Sequence, residues 1–127
     1  IALEPDNATA LNYLGYTYAD LGIELELAEV LIKKAIELNP DDGYITDSLG
    51  WVYYRKADYP KAIEYLERAL ELSSHDPVVA EHLGDAYQKV NKPEKALEIY
   101  KKALKKATTN KADIIKKIKT LEQTLHE

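Results

Sequence analysis

The residues able to do chemistry are few. His75, His82 and His126 are the only imidazoles among 127 residues, and there is no cysteine. Covalent catalysis needs a nucleophile, a base within hydrogen-bond reach and a group that orients the base. None of the three histidines is paired with such a nucleophile in a pocket-like loop. Glu81, His82 and Asp85 fall on one side of a helix at spacings a metal ion accepts, but solvated side chains on a helix surface are by far the simpler reading. Asp41-Asp42 lacks the alternating oxygen ligands of a calcium loop. Each of the 5 glycines lies in a recurring frame or a turn, so there is no phosphate-cradling loop. The expectation is a non-enzymatic chain without metal or cofactor.

Charge is distributed unevenly. Residues 1–91 hold 17 acidic and 7 basic side chains, whereas residues 92–127 hold 10 lysines against 5 acids. No arginine accompanies those lysines, so they read as a solvated helix face and not as a nucleic-acid surface. No apolar run reaches the length of a membrane span or of a signal peptide's apolar region. Membrane insertion is therefore not expected, and a cytoplasmic and a bacterial periplasmic location stay equally open.

What must position any functional side chain is a frame written three times. Leu14-Gly15 is followed by Tyr18, Leu49-Gly50 by Tyr53, and Leu83-Gly84 by Tyr87, with the glycines 35 and then 34 residues apart. A second pattern trails each: Ala28, Ile32 and Ala35; Ala62, Leu66 and Ala69; Ala96, Tyr100 and Ala103. Self-similarity at this period marks a solenoid whose units bury their apolar faces only by stacking. Asn7, Asp42 and Asp76 occupy equivalent helix-capping places. First (A) helices are expected near 8–20, 43–56 and 77–90, and second (B) helices near 25–38, 60–72 and 93–106. Mid-helix glycine costs about 1 kcal/mol against alanine, so Gly15, Gly50 and Gly84 imply close helix approach. Gly43 reads as the solvent end of its helix.

This frame, Leu-Gly-x-x-Tyr followed by Ala-x-x-x-(large)-x-x-Ala and then Pro40, resembles the tetratricopeptide repeat (TPR), a helix–turn–helix of about 34 residues. The closing proline becomes Ser74 and Thr108 in the later units. The resemblance implies an all-α right-handed superhelix of three TPR units at 8–42, 43–76 and 77–109, with residues 1–7 as the tail of a preceding repeat. Residues 110–127 form a capping helix in this reading, with Asn110 as its cap and Asp113 completing a capping box. Its stripe of Ile114, Ile115, Ile118, Leu121 and Leu125 is the covering element a terminal repeat needs.

The family implies a scaffold that holds a peptide or helix of a protein partner against the A helices. Its chaperone carboxylate clamp is absent, because Asn12, Tyr16, Ser48, Val78 and His82 stand at the clamp positions. At about 100° per residue, the groove set is Asn12, Tyr16 and Asp20 from the first A helix. Tyr44, Asp47, Trp51, Tyr54 and Arg55 come from the second, and Glu81, Asp85 and Lys89 from the third. Trp51 reads as the exposed anchor, and the acids favour a partner with basic and apolar residues. The alternatives are a spacer within a longer solenoid, or self-association through the C-terminal helix.

Overall fold

The computed structural model describes residues 7–126; the proposed tail of a preceding repeat, save Asn7, lies outside them. Seven helices follow in order: α1 (Ala8–Leu21), α2 (Leu25–Leu38), α3 (Gly43–Arg55), α4 (Tyr59–Leu72), α5 (Pro77–Lys89), α6 (Pro93–Leu104) and α7 (Lys111–Leu125). No strand occurs among the described residues. Helices pair along the chain, α1 with α2, α3 with α4 and α5 with α6, and each hairpin packs on the next. The fold is an all-α solenoid.

Local chemistry explains where helices begin. Asn7 accepts from the Ala10 amide, and Asp42 accepts from those of Tyr44 and Ile45. Asp58 accepts from Lys61, and Asp76 from Val78 and Val79. These bonds satisfy amide hydrogens that the first turn leaves without carbonyl partners.

The A-to-B turns share one geometry. Gly22, Ala57 and Asn91, at equivalent places, are left-handed with φ of 71°, 63° and 60°. In each turn the next amide reaches back to a carbonyl five residues earlier: Ile23 to Tyr18, Asp58 to Tyr53 and Lys92 to Tyr87. This is the Schellman closure, which favours glycine at its left-handed residue; only the first turn has one.

The small residues set the helix spacing. A Cβ built on Gly50 lies 2.6 Å from Leu66 Cγ, and one on Gly84 would collide with the ring of Tyr100. Ala28, Ala62 and Ala96 on the B helices are wholly buried. Gly43 is the correction: it is buried, not solvent-facing, and its Cβ would lie 2.7 Å from the Ser73 backbone nitrogen. The N-terminus of α3 abuts the C-terminus of α4, an approach that no pattern local to Gly43 announces.

Helix α7 packs on α6 and buries Ile114, Ile118 and Leu121. Three of the five residues of its apolar stripe are thus buried within the chain, while Ile115 and Leu125 are half-buried. Asn110 stands at the N-cap without a side-chain cap bond. Its amide instead donates to the Pro77 carbonyl at 3.1 Å and to Glu81 at 2.9 Å, so the expected capping box gives way to a tie between α7 and α5.

Candidate functional site

Helices α1, α3 and α5 are adjacent and carry the predicted groove residues. At the middle, Trp51 lies between two rings. Tyr54, one turn on, stacks at 4.5 Å with planes 6° apart, and His82 of α5 stacks on it at 4.3 Å. Tyr59 meets Tyr54 edge-on at 5.6 Å. The result is a row His82–Trp51–Tyr54–Tyr59 that crosses from α5 over α3 to α4.

Trp51 is therefore half-buried and packed on the core, and its indole nitrogen is enclosed without an acceptor among the described residues. This corrects the reading of Trp51 as an exposed anchor: His82 of the neighbouring repeat and Tyr54 supply the cover. Tyr44 and Tyr16 do not join the row as stacked rings. Tyr44 is exposed and its hydroxyl donates to Asp76 at 3.3 Å. Tyr16 is half-buried, and burial, then the charges of Asp20 and Asp47, hold its phenol above the ordinary value.

The acids are mostly engaged. Asp47 is only 7% exposed and accepts from His82 Nδ1 at 2.9 Å. Burial alone would depress the His82 pKa; the Asp47 carboxylate, with Asp85 and Glu81 behind it, outweighs burial and raises it. Lys117 of α7 reaches Glu81 at 2.6 Å and Asp85 at 2.9 Å. Its ammonium is likewise opposed by burial but held above the ordinary range by hydrogen bonds to those two carboxylates. Asp85 also accepts from the buried Tyr100 hydroxyl, to which Gln88 donates at 2.9 Å. Of the four predicted groove acids, only Asp20 is exposed.

The cations Arg55 and Lys89 are exposed and enter none of the described ion pairs. They border two adjoining hollows. One, of about 270 Å³, is lined by Gly22, Leu25, Tyr54, Arg55, Tyr59 and Lys89. The other, of about 420 Å³, is lined by Tyr54, Asp85, Gln88, Lys89 and Lys117. Tyr54 and Lys89 belong to both. The hollows thus place the two cations Arg55 and Lys89 beside the rings of Tyr54 and Tyr59, whereas three of the four predicted groove acids are engaged. Tyr59 and Lys117 were not foreseen as groove residues, because one opens a B helix and the other sits on the terminal helix.

Two family models described as tetratricopeptide repeat match residues 24–77 and 53–115. The chain is a tetratricopeptide repeat protein. A TPR repeat-containing protein of Pseudomonas aeruginosa is 54% identical over 66 residues, 52% of this TPR chain and 11% of the relative. The chain thus spans about a tenth of that relative's length. Among solved structures, TTC0263, a thermophilic TPR protein of Thermus thermophilus, superimposes with a TM-score of 0.83 at 25% identity. The match covers 94% of this chain and 66% of that one. The first TPR of Spaghetti (RPAP3), bound to the HSP90 peptide SRMEEVD, gives a TM-score of 0.86 at 18% identity, covering 98% of this chain and 100% of that one. That likeness carries the fold alone. TPR proteins are generally non-enzymatic, and their fold suggests a protein–protein interaction scaffold. No helix of the described residues is long and apolar enough to cross a membrane.

Proposed function

We propose that this TPR chain is an interaction scaffold that holds an extended or helical segment of a partner protein along α1, α3 and α5. We further propose that the segment is acidic and apolar. The observation that carries this reading is the paired hollow around Tyr54 and Lys89, where Tyr54 and Tyr59 offer apolar ring surface and Arg55 and Lys89, which enter none of the described ion pairs, offer positive charge. Aromatic and arginine side chains are what interface hot spots are built from. The basic partner expected from the sequence rested on Asp20, Asp47, Glu81 and Asp85, and the last three already bind His82 and Lys117. Trp51 supports Tyr54 from beneath, and Tyr16 with Asp20 extends the groove over α1.

Selection of a displayed random-peptide library on the immobilised chain tests the reading. Enrichment of peptides with Asp or Glu beside an aromatic or leucine, lost in Arg55→Glu/Lys89→Glu, is expected. Enrichment of Lys- and Arg-rich peptides would restore the original charge assignment, and no enrichment at all would favour the spacer reading.

A further inference from the structure

A third hollow lies away from the A-helix groove, between the B helices α4 and α6 and over α5. It measures about 330 Å³ and its bottom is apolar, formed by Leu70, Ala80, Leu83, Ile99 and Ala103. Comparison with the preceding repeat explains it. Ile99 stands 34 residues after Tyr65, and Tyr87 stands 34 after Tyr53. In the earlier repeat the Tyr65 ring stacks on Tyr53 at 5.5 Å, with Arg68 lying 5.2 Å over Tyr65. In the later repeat isoleucine replaces that ring. Tyr87 keeps only Lys95 over its face, at 6.0 Å, among the described residues, and Ile99 and Lys95 line the hollow.

The two walls differ in charge. From α4 come Glu67 and Glu71; from α6 come Lys95 and Lys102, the latter paired with Glu98 of the same wall at 3.3 Å, and just beyond its end Lys106, which donates to the Ser74 carbonyl. A volume at the lower end of the range for ligand pockets suits one side chain, not a cofactor. We propose that this hollow receives an aromatic side chain of a partner protein, taking the place that Tyr65 fills from within one repeat earlier. The partner segment runs between α4 and α6, presenting an acidic side chain to Lys95 and a basic one to Glu71. An aromatic knob in a desolvated hollow with charge-matched flanks is the arrangement that gives an anchor both affinity and orientation. This site is independent of the groove reading above, since no residue is common to the two.

The test uses p-cresol, the tyrosine side chain as a free molecule, titrated into the ¹⁵N-labelled chain. Saturable amide shifts centred on Leu70, Leu83, Ile99 and Ala103 are expected. Ile99→Tyr should weaken them more than tenfold, because its own ring fills the hollow. Intermolecular contacts between cresol ring protons and the Leu70 and Leu83 methyls need no variant, and decide the matter should Ile99→Tyr fail to fold. Shifts that do not saturate, that persist in Ile99→Tyr, or that map instead to Tyr54 and Trp51 would overturn the proposal. So would concentration-dependent dimerisation that Ile99→Tyr abolishes, since the occupant would then be a second copy.

Discussion

Gly43→Ala tests whether the solenoid's spacing is set by backbone contact. The added methyl would sit 2.7 Å from the Ser73 nitrogen, 3.0 Å from the Ala69 carbonyl oxygen and 3.0 Å from the Leu72 carbonyl carbon. Ordinary contact lies about 0.7 Å farther out, and every atom in the way belongs to the α4 backbone. Ser73 N is itself bonded to Ala69 O at 2.9 Å, so relief requires moving the end of one helix against another. At Gly50 the obstacles at 2.6 and 2.8 Å are side-chain carbons of Leu66, which can rotate in part. Alanine there also recovers about 1 kcal/mol of mid-helix propensity. Overpacking costs about 1–3 kcal/mol, so Gly43→Ala belongs at the upper end and Gly50→Ala about 1 kcal/mol lower. With an unfolding entropy of about 2.1 cal/mol/K per residue, a loss of 2–3 kcal/mol lowers Tm by roughly 8–11 °C. Urea titrations followed by circular dichroism, with m unchanged, give the comparison. If Gly43→Ala is neutral, or milder than Gly50→Ala, the backbone-contact argument fails.

Ala57 takes a left-handed φ of 63°, which costs an L-residue about 1–2 kcal/mol. Ala57→Gly should therefore stabilise by about 0.5–1 kcal/mol after the added freedom of the unfolded chain is deducted, and a lower urea midpoint would contradict this. Trp51→Ala should cost about 2–3 kcal/mol, below the roughly 3–5 of a fully buried ring; a loss under 0.5 kcal/mol would return Trp51 to the surface. His82 titrates above its ordinary value beside Asp47, so its protonation favours the folded state. The extra stability is present below the unfolded histidine pKa and lost as pH rises through the folded one. The difference between wild type and His82→Gln should hence be larger at pH 5.5 than at pH 8.5; a pH-independent difference would show that the ion pair adds nothing to the stacked ring.

The repeat period, the aspartate and asparagine caps and the Gly/Ala packing frame were legible because each is encoded within one helical hairpin. The contacts between hairpins were not. A helical wheel gives one core face per helix, yet α3 is flanked by α1 and α5 as well as paired with α4. The face opposite Leu49 and Val52 is thus partly covered, and Asp47 and Ser48 are buried along with them. His82 covering Trp51 and Lys117 neutralising Glu81 and Asp85 come from another hairpin or the terminal helix, and Ser73 blocking Gly43 comes from the far end of the same hairpin, 30 residues on. One signal was available: a carboxylate followed by a base one repeat later, as in Asp47 with His82 and Glu81 with Lys117.

That signal has a counterpart in the first repeat that explains why its residue is neutral. Asn12 stands where Asp47 and Glu81 stand, and Ser48 stands where His82 does. Tyr16 takes the position of Trp51. Ser48 is buried and its hydroxyl turns back to the Tyr44 carbonyl at 3.2 Å, so no cation faces α1 from that place. The Asn12 side-chain oxygen is buried without a partner among the described residues. A carboxylate there would be uncompensated and would sit in the negative field of Asp20 and Asp47, the two charges that act on Tyr16. Asn12→Asp should therefore destabilise by about 1–3 kcal/mol at pH 7, and less at pH 4, where the new carboxyl is protonated. Asn12→Asp combined with Ser48→His recreates the Asp47–His82 pair one repeat earlier, with Tyr16 as the ring on which the imidazole stacks. A double-mutant cycle should then give a favourable coupling of about 1 kcal/mol or more. Additivity within about 0.5 kcal/mol would mean that the pairing of acid and base across successive A helices is incidental to the groove.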